Sequence, residues 1–288
     1  GLEMIAALLL ALPALAGLWS GTGGNGYVQC LCPPDLARDL RRDLTFWAPL
    51  ASDTSAQGRG STVATFTRAT VATHVDAITG LVVKDGSGVA RFEANGYLSE
   101  AARTNSLLQS EDLTTSWSND AGIAITANST SAPDNTATAD TMTCVVGSNG
   151  HRSYQSFTAT AAAWTMSVYL KAGTASWAGL AFADEAKNEG AFFNLSTGAV
   201  GTVAAGTTAT IAPAANGFYR CTITRTLSVA TKYAIVQVQG ADNQVYTWAA
   251  AGTETVFAWG MQVELGAFVS SYIPTTSASV VRDAETLV

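Results

Sequence analysis

Charged side chains are scarce in this sequence. They make up 13 % of the 288 residues, whereas a soluble globular domain averages about 25 %. Acidic residues outnumber basic ones, 22 Asp and Glu against 15 Lys and Arg, which gives a formal net charge of −7. Nucleic-acid binding requires clustered Lys and Arg. We therefore expect no nucleic-acid partner for this chain.

Cysteine and long hydrophobic runs are also rare. Four Cys do not make a disulfide scaffold in a chain of this length. Cys30 and Cys32 lack the further ligands of a zinc site. Cys144 and Cys221 lie in strand-like segments and are interpreted as buried thiols, with a bridge between them as the alternative. No apolar stretch reaches the ~20 residues of a membrane-spanning helix, so we expect no membrane span.

Small and β-branched residues take the place of charged ones. Hydrophobic residues make up 48 % of the chain, and the abundant Ala, Thr, Ser, Val and Gly suit strands and tight turns. Apolar and polar residues alternate clearly in the segments 164–171, 217–225, 232–239 and 255–264. This period of two is typical of antiparallel sheets with one buried face. The predicted fold class is all-β, an antiparallel β-sandwich of the jelly-roll type.

The alternation also predicts which side chains enter the core. In the 164–171 segment the inward positions are Trp164, Met166, Val168 and Leu170. In the 255–264 segment they are Phe257, Trp259, Met261 and Val263, opposite Gln262 and Glu264. In the 232–239 segment they are Ala234, Val236 and Val238, which leaves Tyr233, Gln237 and Gln239 on the wetted face.

The first 45 residues differ from the rest of the chain. Residues 4–18 are almost wholly apolar, and an Ala14-Leu15-Ala16 stretch resembles a signal-peptide cleavage site. Glu3 and Pro13 oppose that interpretation, so we expect a docking arm. A helical seam would contain Leu8, Leu12 and Leu15, although Pro13 would kink it and favours an extended arm as the alternative. Further docking candidates are Trp19 and, in a short amphipathic helix, Leu36 and Leu40.

Composition divides the chain into three predicted parts. Residues 1–45 form the apolar, helical docking arm. Residues 46–104 form a β-rich linker segment or a small β subdomain. Residues 105–288 form the jelly-roll sandwich, after a change in composition near Arg103.

Tryptophan supplies the candidate binding residues. Sugars bind to exposed aromatic rings with polar side chains nearby. Trp177 and Trp248 lie near predicted loops, and Trp117 is a third candidate for carbohydrate binding. Packing at strand ends is the alternative for each of them.

Catalytic and metal-binding patterns are weak. The two histidines, His74 and His151, have no nucleophile elbow beside them, and we expect His151 to be solvent-exposed. Glu185 and Glu189 would be the carboxylates of a polysaccharide hydrolase. Asp134, Asn135 and Asp140 match no calcium-loop spacing. We expect no catalytic residues, no metal site and no cofactor.

An ordered set of motifs carries a family resemblance. It consists of FTRATVATHVDAITG at 66–80, VARFE at 89–93, GYLSEAARTNSLLQSEDL at 96–113, NGFYR at 216–220 and WGMQVELGAFVSSYIPT at 259–275. This order resembles a family of bacteriophage virion proteins found as tail fibres, head fibres or other surface structural proteins. Their C-terminal part resembles a carbohydrate-binding-module sandwich, and the resemblance covers residues 46–288.

The resemblance implies a function and a set of partners. It implies a non-enzymatic structural protein on the virion surface, a homotrimer docked to phage capsid or tail proteins through residues 1–45. The sandwich would adhere to host-surface glycans. Head and tail locations both remain open. The alternatives are a secreted bacterial carbohydrate-binding or adhesion module and, third, a polysaccharide hydrolase.

Several motif residues have predicted scaffold roles. Arg103 and Glu100 are predicted to pair and fix the junction between segments. The Tyr272-Ile273-Pro274 stretch is predicted to close the last strand, because Pro cannot donate to the ladder. Asn216 and Gly217 are predicted to form a hairpin turn.

Overall fold

The computed structural model describes residues 66–183, 189–245 and 247–287, together with short strand segments before residue 66. The chain divides into two compact units, Gly1–Phe66 with Thr286–Val288, and Thr67–Glu285. Strands are numbered β1 to β26 along the chain. The predicted docking residues Leu8, Leu12, Leu15, Leu36 and Leu40 lie outside the described residues.

The first unit contains short strands. They are β1 (Trp19–Thr22), β2 (Val28–Cys30), β3 (Phe46–Trp47), β4 (Ser55–Gly58), β5 (Val63–Thr67) and β26 (Thr286–Leu287). β1 pairs with β2, and the other four form a sheet in the order β26-β5-β4-β3. Trp19, expected in the docking arm, begins β1.

Two six-stranded sheets dominate the second unit. The front sheet has the order β11 (Ser118–Asn119), β15 (Arg152–Ala159), β22 (Ala230–Gln239), β17 (Trp177–Ala183), β18 (Glu189–Asn194) and β19 (Ala199–Val203). The back sheet has the order β12 (Ile123–Thr130), β13 (Ala139–Cys144), β24 (Thr255–Leu265), β16 (Ala162–Ala172), β21 (Tyr219–Leu227) and β20 (Thr207–Pro213). Neighbouring strands in both sheets are antiparallel.

Smaller elements complete this unit. The pairs are β6 (Ala72–Val75) with β7 (Val82–Asp85), β8 (Arg91–Glu93) with β9 (Gly96–Leu98), β10 (Arg103–Asn105) with β25 (Val280–Arg282), and β14 (Gly147–Gly150) with β23 (Thr247–Ala250). A 3-10 turn at Ala215–Gly217 lies between β20 and β21, with Asn216 and Gly217 at positive φ, which confirms the predicted hairpin turn. Within the described residues no helix is long and apolar enough to span a membrane.

The main hydrophobic core lies between the two sheets. The front sheet contributes Phe157, Leu180, Phe182, Phe193, Ala234, Val236 and Val238, and the back sheet contributes Met142, Trp164, Met166, Val168, Leu170, Cys221, Ile223, Val256, Met261 and Val263. The inward positions predicted for 164–171 and 232–239 are confirmed. The second unit is therefore an antiparallel β-sandwich, as the alternation predicted.

A β-bulge in β24 overturns part of the predicted pattern. Gly260 has φ +65°, and the register between β24 and β16 shifts between Ser167 and Tyr169. A bulge inserts one residue, so the faces exchange beyond it. Val256 and Ala258 enter the main core before the bulge, and Met261 enters it afterwards. The expectation that Trp259 and Phe257 share the face of Met261 is therefore wrong.

Trp259 instead anchors a second core behind the back sheet. Its ring centroid lies 4.7 Å from that of Tyr272 and 5.4 Å from that of Tyr169. Tyr272 and Ile273 are each 2 % exposed. They belong to an irregular segment that follows β24, which ends at Leu265. The prediction that this stretch closes the last strand is therefore wrong, because the chain leaves the sheet earlier and folds back over it.

A buried ionic network joins distant parts of the sequence. Glu285 accepts hydrogen bonds from Arg68 at 2.7 Å and from Arg91 at 2.6 Å. Glu100 pairs with Arg91 at 2.9 Å and with Arg282 at 2.8 Å. The side chains of the three arginines and of Glu285 are fully buried. The predicted Arg103–Glu100 pair is replaced by these contacts, because Arg91 and Arg282 already surround Glu100.

Glu264 takes the place predicted for Glu100 as the partner of Arg103. The Nε of Arg103 lies 3.5 Å from the carboxylate of Glu264. Glu264 also accepts hydrogen bonds from the backbone N–H and the hydroxyl of Ser270. Since Glu264 lies on β24, this pair attaches the 103–105 junction to the centre of the back sheet.

Hydrogen bonds and positive charge determine the ionisation of Glu100. Burial alone would raise its pKa, but hydrogen bonds from Ser271 and the charge of Arg282 outweigh burial and hold the pKa below its ordinary value. Ser271 donates to Glu100 through both its N–H and its hydroxyl. The carboxylate form is therefore the one that stabilises the fold.

The two cysteines of the sandwich are free and buried, as the preferred interpretation predicted. Burial, reinforced by the charge of Glu254, raises the pKa of Cys144 to about 12. Burial also raises the pKa of Cys221. Both thiols therefore pack as small apolar groups.

We predict that Gly260→Ala destabilises the sandwich by about 2–4 kcal/mol. The backbone at this position has a positive φ, which strains any residue with a Cβ. The added Cβ would also lie 2.9 Å from the ring of Tyr169. Gly88→Ala is the matched control, since Gly88 also has positive φ but no atom lies within 4 Å of its would-be Cβ. Its expected cost is about 1 kcal/mol. If urea unfolding showed the same loss of unfolding free energy in both variants, the role of the Tyr169 contact would be contradicted.

We predict that Glu100→Gln lowers the free energy of unfolding by about 3 kcal/mol at pH 7, because it leaves buried guanidinium charge unbalanced. The lowered pKa means that Glu100 stabilises the fold fully above about pH 5, and that this contribution is lost as the pH falls through the folded-state pKa. The difference between wild type and variant should therefore shrink below about pH 4. The prediction would be contradicted if the difference in unfolding free energy between wild type and variant, measured in urea, stayed the same at every pH. Asp134→Asn, in an exposed turn, is the control.

Candidate functional site

The outer face of the front sheet is lined with small residues where β22, β17, β18 and β19 lie side by side. Alternation places Gly179, Ala181, Gly190 and Gly201 on the side away from the main core. Small side chains leave a depression in a sheet surface, because neighbouring larger side chains rise around them. This depression is the starting point of the candidate site.

The loop 240–245, which we call the site loop, closes one end of the depression. Asp242 accepts hydrogen bonds from the N–H of Thr202 at 2.8 Å and from its hydroxyl at 3.1 Å. The Oε1 of Gln244 accepts from the N–H groups of Gly240 at 2.7 Å and Ala241 at 3.1 Å. The loop is thus bound to β19 at one point and braced internally at another.

A cavity of about 240 Å³ lies between the site loop and the sheet. It is lined by Leu180, Ala181, Gly190, Ala191, Phe192, Thr202, Ala204, Gln237, Asn243, Gln244 and Val245. None of these lining residues carries a charge. The lining combines an apolar wall with carboxamide and hydroxyl groups.

Two buried glutamines distinguish this region. Gln237 is 4 % exposed and Gln239 is 0 % exposed. Within the described part of the chain, the Oε1 of Gln237 and both polar side-chain atoms of Gln239 have no hydrogen-bond partner. A buried amide left unpaired costs about 1–3 kcal/mol. These atoms have almost no accessible surface, so they are enclosed by the fold itself and weaken it.

Sequence reasoning missed these glutamines. The alternation predicted that both glutamines lie on the face of β22 opposite the main core, and the structure confirms this face. The period of two predicts the face of a sheet on which a side chain lies but not whether that side chain is buried. The only sequence signal was a pair of amides at alternate positions in a strand otherwise rich in apolar residues.

Trp177 lies against β19, and Trp248 lies against the start of the site loop. Trp177 pairs with Gln239 in the sheet, and its ring adjoins Gly201, where an added Cβ would lie 2.6 Å from it. The ring of Trp248 lies beside Gly240. Both tryptophans are half-buried, so each has a packed part and an accessible part.

Contacts on the core side fix the position of Trp248. Its indole N–H donates to the carbonyl of Val238 at 3.3 Å, and its ring meets that of His151 edge-on at 5.0 Å. His151 is completely buried, so the expectation that it is solvent-exposed is wrong. Its ring nitrogens contact the carbonyls of Gly122 and Trp248, which makes it a structural residue.

Trp117 lies apart from the other two candidates. It is 7 % exposed and belongs to the main core. Its indole N–H is shared between the carbonyls of Leu108 and Gln109, each at 3.3 Å. With its ring packed between the sheets, Trp117 offers no face to a sugar, and we remove it from the candidate set.

The remaining chemical candidates do not meet at a common site. His74 bonds Asp85 at 2.5 Å, whereas Asp76 caps its own turn through Thr79. Asp140 is buried and accepts from the N–H groups of Leu113 and Asn128. Among the described residues no group of His, Cys, Asp or Glu is arranged to hold a metal ion. Glu185 and the side chain of Glu189 lie outside the described residues.

We predict that Gln237→Leu leaves the free energy of unfolding unchanged or raises it by up to about 1 kcal/mol, because it removes an unpaired buried amide. Gln155→Leu is the matched control. Gln155 is also buried, but its amide bonds Leu108 and Ser116, so its loss should cost about 1–3 kcal/mol. The two variants are compared by urea unfolding. Equal destabilisation would show that Gln237 is a satisfied structural residue.

Comparison with known proteins adds little to this geometry. No family model matches the chain, and no curated protein matches it. Among solved structures, it is similar to the CBM22-1 and GH10 modules of endo-1,4-beta-D-xylanase 10B from Clostridium thermocellum, complexed with xylohexaose. The match has 14 % identity and a TM-score of 0.28, and it covers 61 % of this chain and 30 % of that chain. A likeness this weak carries no argument about function.

Proposed function

We propose that this chain is a non-enzymatic structural protein of a phage virion surface, whose sandwich adheres to host-surface glycans. In this proposal residues 1–45 dock the protein to capsid or tail proteins, and the chain forms a homotrimer. The sandwich is of the jelly-roll, carbohydrate-binding-module-like type. The observation that carries the adhesion role is the position of two half-buried tryptophans beside Gly201 and Gly240, on β19 and the site loop, which also contribute residues to an uncharged cavity.

The chemistry of the site loop supports adhesion to sugars. Sugar rings combine apolar C–H faces with hydroxyl groups, so they bind where aromatic rings adjoin neutral hydrogen-bonding groups. Trp177 and Trp248 supply the rings. Gln237, Gln244 and Asn243 supply the amides.

The positions of the resemblance motifs support the structural role. Glu100 belongs to the 96–113 motif and contacts Ser271 of the 259–275 motif. Arg91 of the 89–93 motif binds the same carboxylate. Residues that carry the resemblance to phage virion proteins therefore form one buried unit of the scaffold.

We predict that Trp177→Ala and Trp248→Ala each weaken binding to an immobilised glycan array by about tenfold, because each removes a stacking surface. Phe268→Ala is the control, since Phe268 is 63 % exposed but distant in sequence from the site loop. Each variant must keep a cooperative thermal transition. Failure of the wild-type protein to bind any glycan would contradict the adhesion role.

The docking role of residues 1–45 is tested by measuring the size of the assembly with and without them. Light scattering should show a trimer or larger assembly for the full chain and a smaller soluble species once residues 1–45 are removed. The physical reason is that an apolar arm is stable only when it is buried. Identical soluble monomers in both samples would contradict the virion proposal and favour a secreted binding module.

A further inference from the structure

A second cavity, with a volume of about 280 Å³, lies beside the aromatic core behind the back sheet. Its lining comes from distant stretches of the chain and consists of Lys84, Gln109, Glu111, Asp112, Asn128, Thr138, Pro274, Thr275 and Thr276. All of these residues except Pro274 have polar side chains. Convergent polar groups fix the orientation of a bound ligand, so this cavity is suited to a polar one.

Glu111 is held at the cavity through one of its two carboxylate oxygens. Its Oε1 accepts a hydrogen bond from the hydroxyl of Tyr272 at 3.0 Å, and that hydroxyl lies 2.7 Å from the Oγ of Ser110. The Oε2 of Glu111 has no hydrogen-bond partner among the described residues and, unlike the Oε1 of Gln237, is not enclosed by the fold. The aromatic core therefore orients this carboxylate and leaves one oxygen for a ligand.

Gln109 is held through its backbone alone. Its N–H donates to the carbonyl of Thr276 at 2.7 Å, and its carbonyl accepts from the N–H of Asp112 at 3.1 Å. Its φ of +49° lies in the left-handed region, which costs free energy for any residue with a Cβ. The side-chain amide makes no hydrogen bond within the described part of the chain and is not enclosed. A strained residue whose side chain adds no hydrogen bond to the fold is a candidate for binding.

Further groups complete a set of donors and acceptors. Asp112 accepts hydrogen bonds from Thr114 through its Oδ1, which leaves its Oδ2 for a ligand. Lys84 is exposed and contributes an ammonium group whose charge acts on Glu111. The hydroxyl of Thr276 both donates and accepts. A polyol matches such a set, because each of its hydroxyls also donates and accepts.

Charge and the packing of Trp259 narrow the ligand class. The lining holds two carboxylates and one ammonium group, so an acidic ligand would meet an excess of negative charge. Trp259 donates its indole N–H to the hydroxyl of Thr138 at 3.0 Å, but it is 1 % exposed and offers no face for stacking. Binding at this cavity therefore depends on hydrogen bonds rather than on an aromatic platform.

We infer that this cavity binds a non-acidic hexose unit of a glycan through its hydroxyl groups. Two hydroxyls donate to the Oε2 of Glu111 and the Oδ2 of Asp112, and others accept from Lys84 and from the amide of Gln109. The non-acidic polyol follows from the cavity itself, whereas its identity as a sugar rests on the proposed function.

The cavity is a second site, separate from the two candidate tryptophans. Trp177 lies on the outer face of the front sheet, whereas the aromatic core beside this cavity lies behind the back sheet. The sandwich therefore holds one glycan unit on each side.

The test is a protein-observed NMR titration of the full chain with glucose, galactose, mannose, glucuronate and cyclohexanol. At least one of the three non-acidic hexoses should shift the signals of residues 109–112 and 274–276. Glucuronate should bind at least about tenfold more weakly than that hexose, because its charge meets the two carboxylates. Cyclohexanol, a ring with a single hydroxyl, should be weaker by a similar factor, since it leaves the polar groups unpaired. Equal affinity for glucuronate or for cyclohexanol would overturn the inference.

A change at Glu111 assigns the binding to the cavity. Glu111→Gln should weaken hexose binding by about tenfold, because a charge-assisted hydrogen bond is lost. Burial raises the pKa of Glu111, so its charge does not stabilise the fold and the variant should keep its melting temperature. Glu254→Gln is the control, since Glu254 does not line the cavity. Full affinity in Glu111→Gln would overturn the inference.

A change at Gln109 separates binding from a structural role. Gln109→Gly should weaken hexose binding by roughly three- to tenfold, while the melting temperature stays the same or rises, because glycine tolerates a positive φ. Ser116→Gly is the matched control, since Ser116 has φ +64° and does not line the cavity. Its affinity should be unchanged. A lower melting temperature with full affinity in Gln109→Gly would show a structural role and overturn the inference.

The outcomes distinguish this inference from the proposed function. Trp177→Ala and Trp248→Ala should leave the shifts at the cavity unchanged. Shifts confined to the surroundings of Trp177 and Trp248 would overturn the inference but leave glycan adhesion standing. Absence of shifts throughout the protein would overturn the inference, and if the glycan array were also negative, the adhesion role would fall with it.

Discussion

The buried ionic network is the constraint on which the sandwich unit depends. Arg68 and Arg91 meet Glu285, and Arg91 and Arg282 meet Glu100. Each charge would be costly if it were buried alone, because burial removes its hydration. The fold is therefore stable only when residues from the start and the end of this unit meet. A sequence with so few charged residues concentrates several of them at this one place.

The bulge at Gly260 links this network to the aromatic packing behind the back sheet. Because of the bulge, Met261 and Val263 face the main core, whereas Trp259 and Glu264 lie on the opposite face of the back sheet. Trp259 then packs with Tyr272, while Glu264 holds Ser270. One extra residue in a strand thus creates a second core, which the irregular segment after β24 covers. This explains why a polar side chain such as Glu264 can be fully buried.

The site loop presents the opposite situation. Every guanidinium of the network pairs with a carboxylate, although the Nε of Arg282 has no hydrogen-bond partner in the described residues. Gln237 and Gln239 have no such charged partner, and their buried amide atoms also lack hydrogen-bond partners there. Unsatisfied groups of this kind weaken a fold. Buried nitrogen atoms without a hydrogen-bond partner in the described residues also occur in the side chains of Arg103, Arg220 and Arg282, so this cost to stability is shared between the outer face of the front sheet and the rest of the unit.

The sequence by itself determined the class of fold and much of the main core. Alternation in 164–171 and 232–239 predicted the inward residues correctly, because a strand with one buried face leaves a local period of two. Only the tertiary structure decided the partners of Glu100, the face of Trp259 and the burial of Gln237 and His151. Those features depend on a bulge and on chain segments distant in sequence. None of these leaves a local pattern, because a contact between distant residues places no periodic constraint on their neighbours.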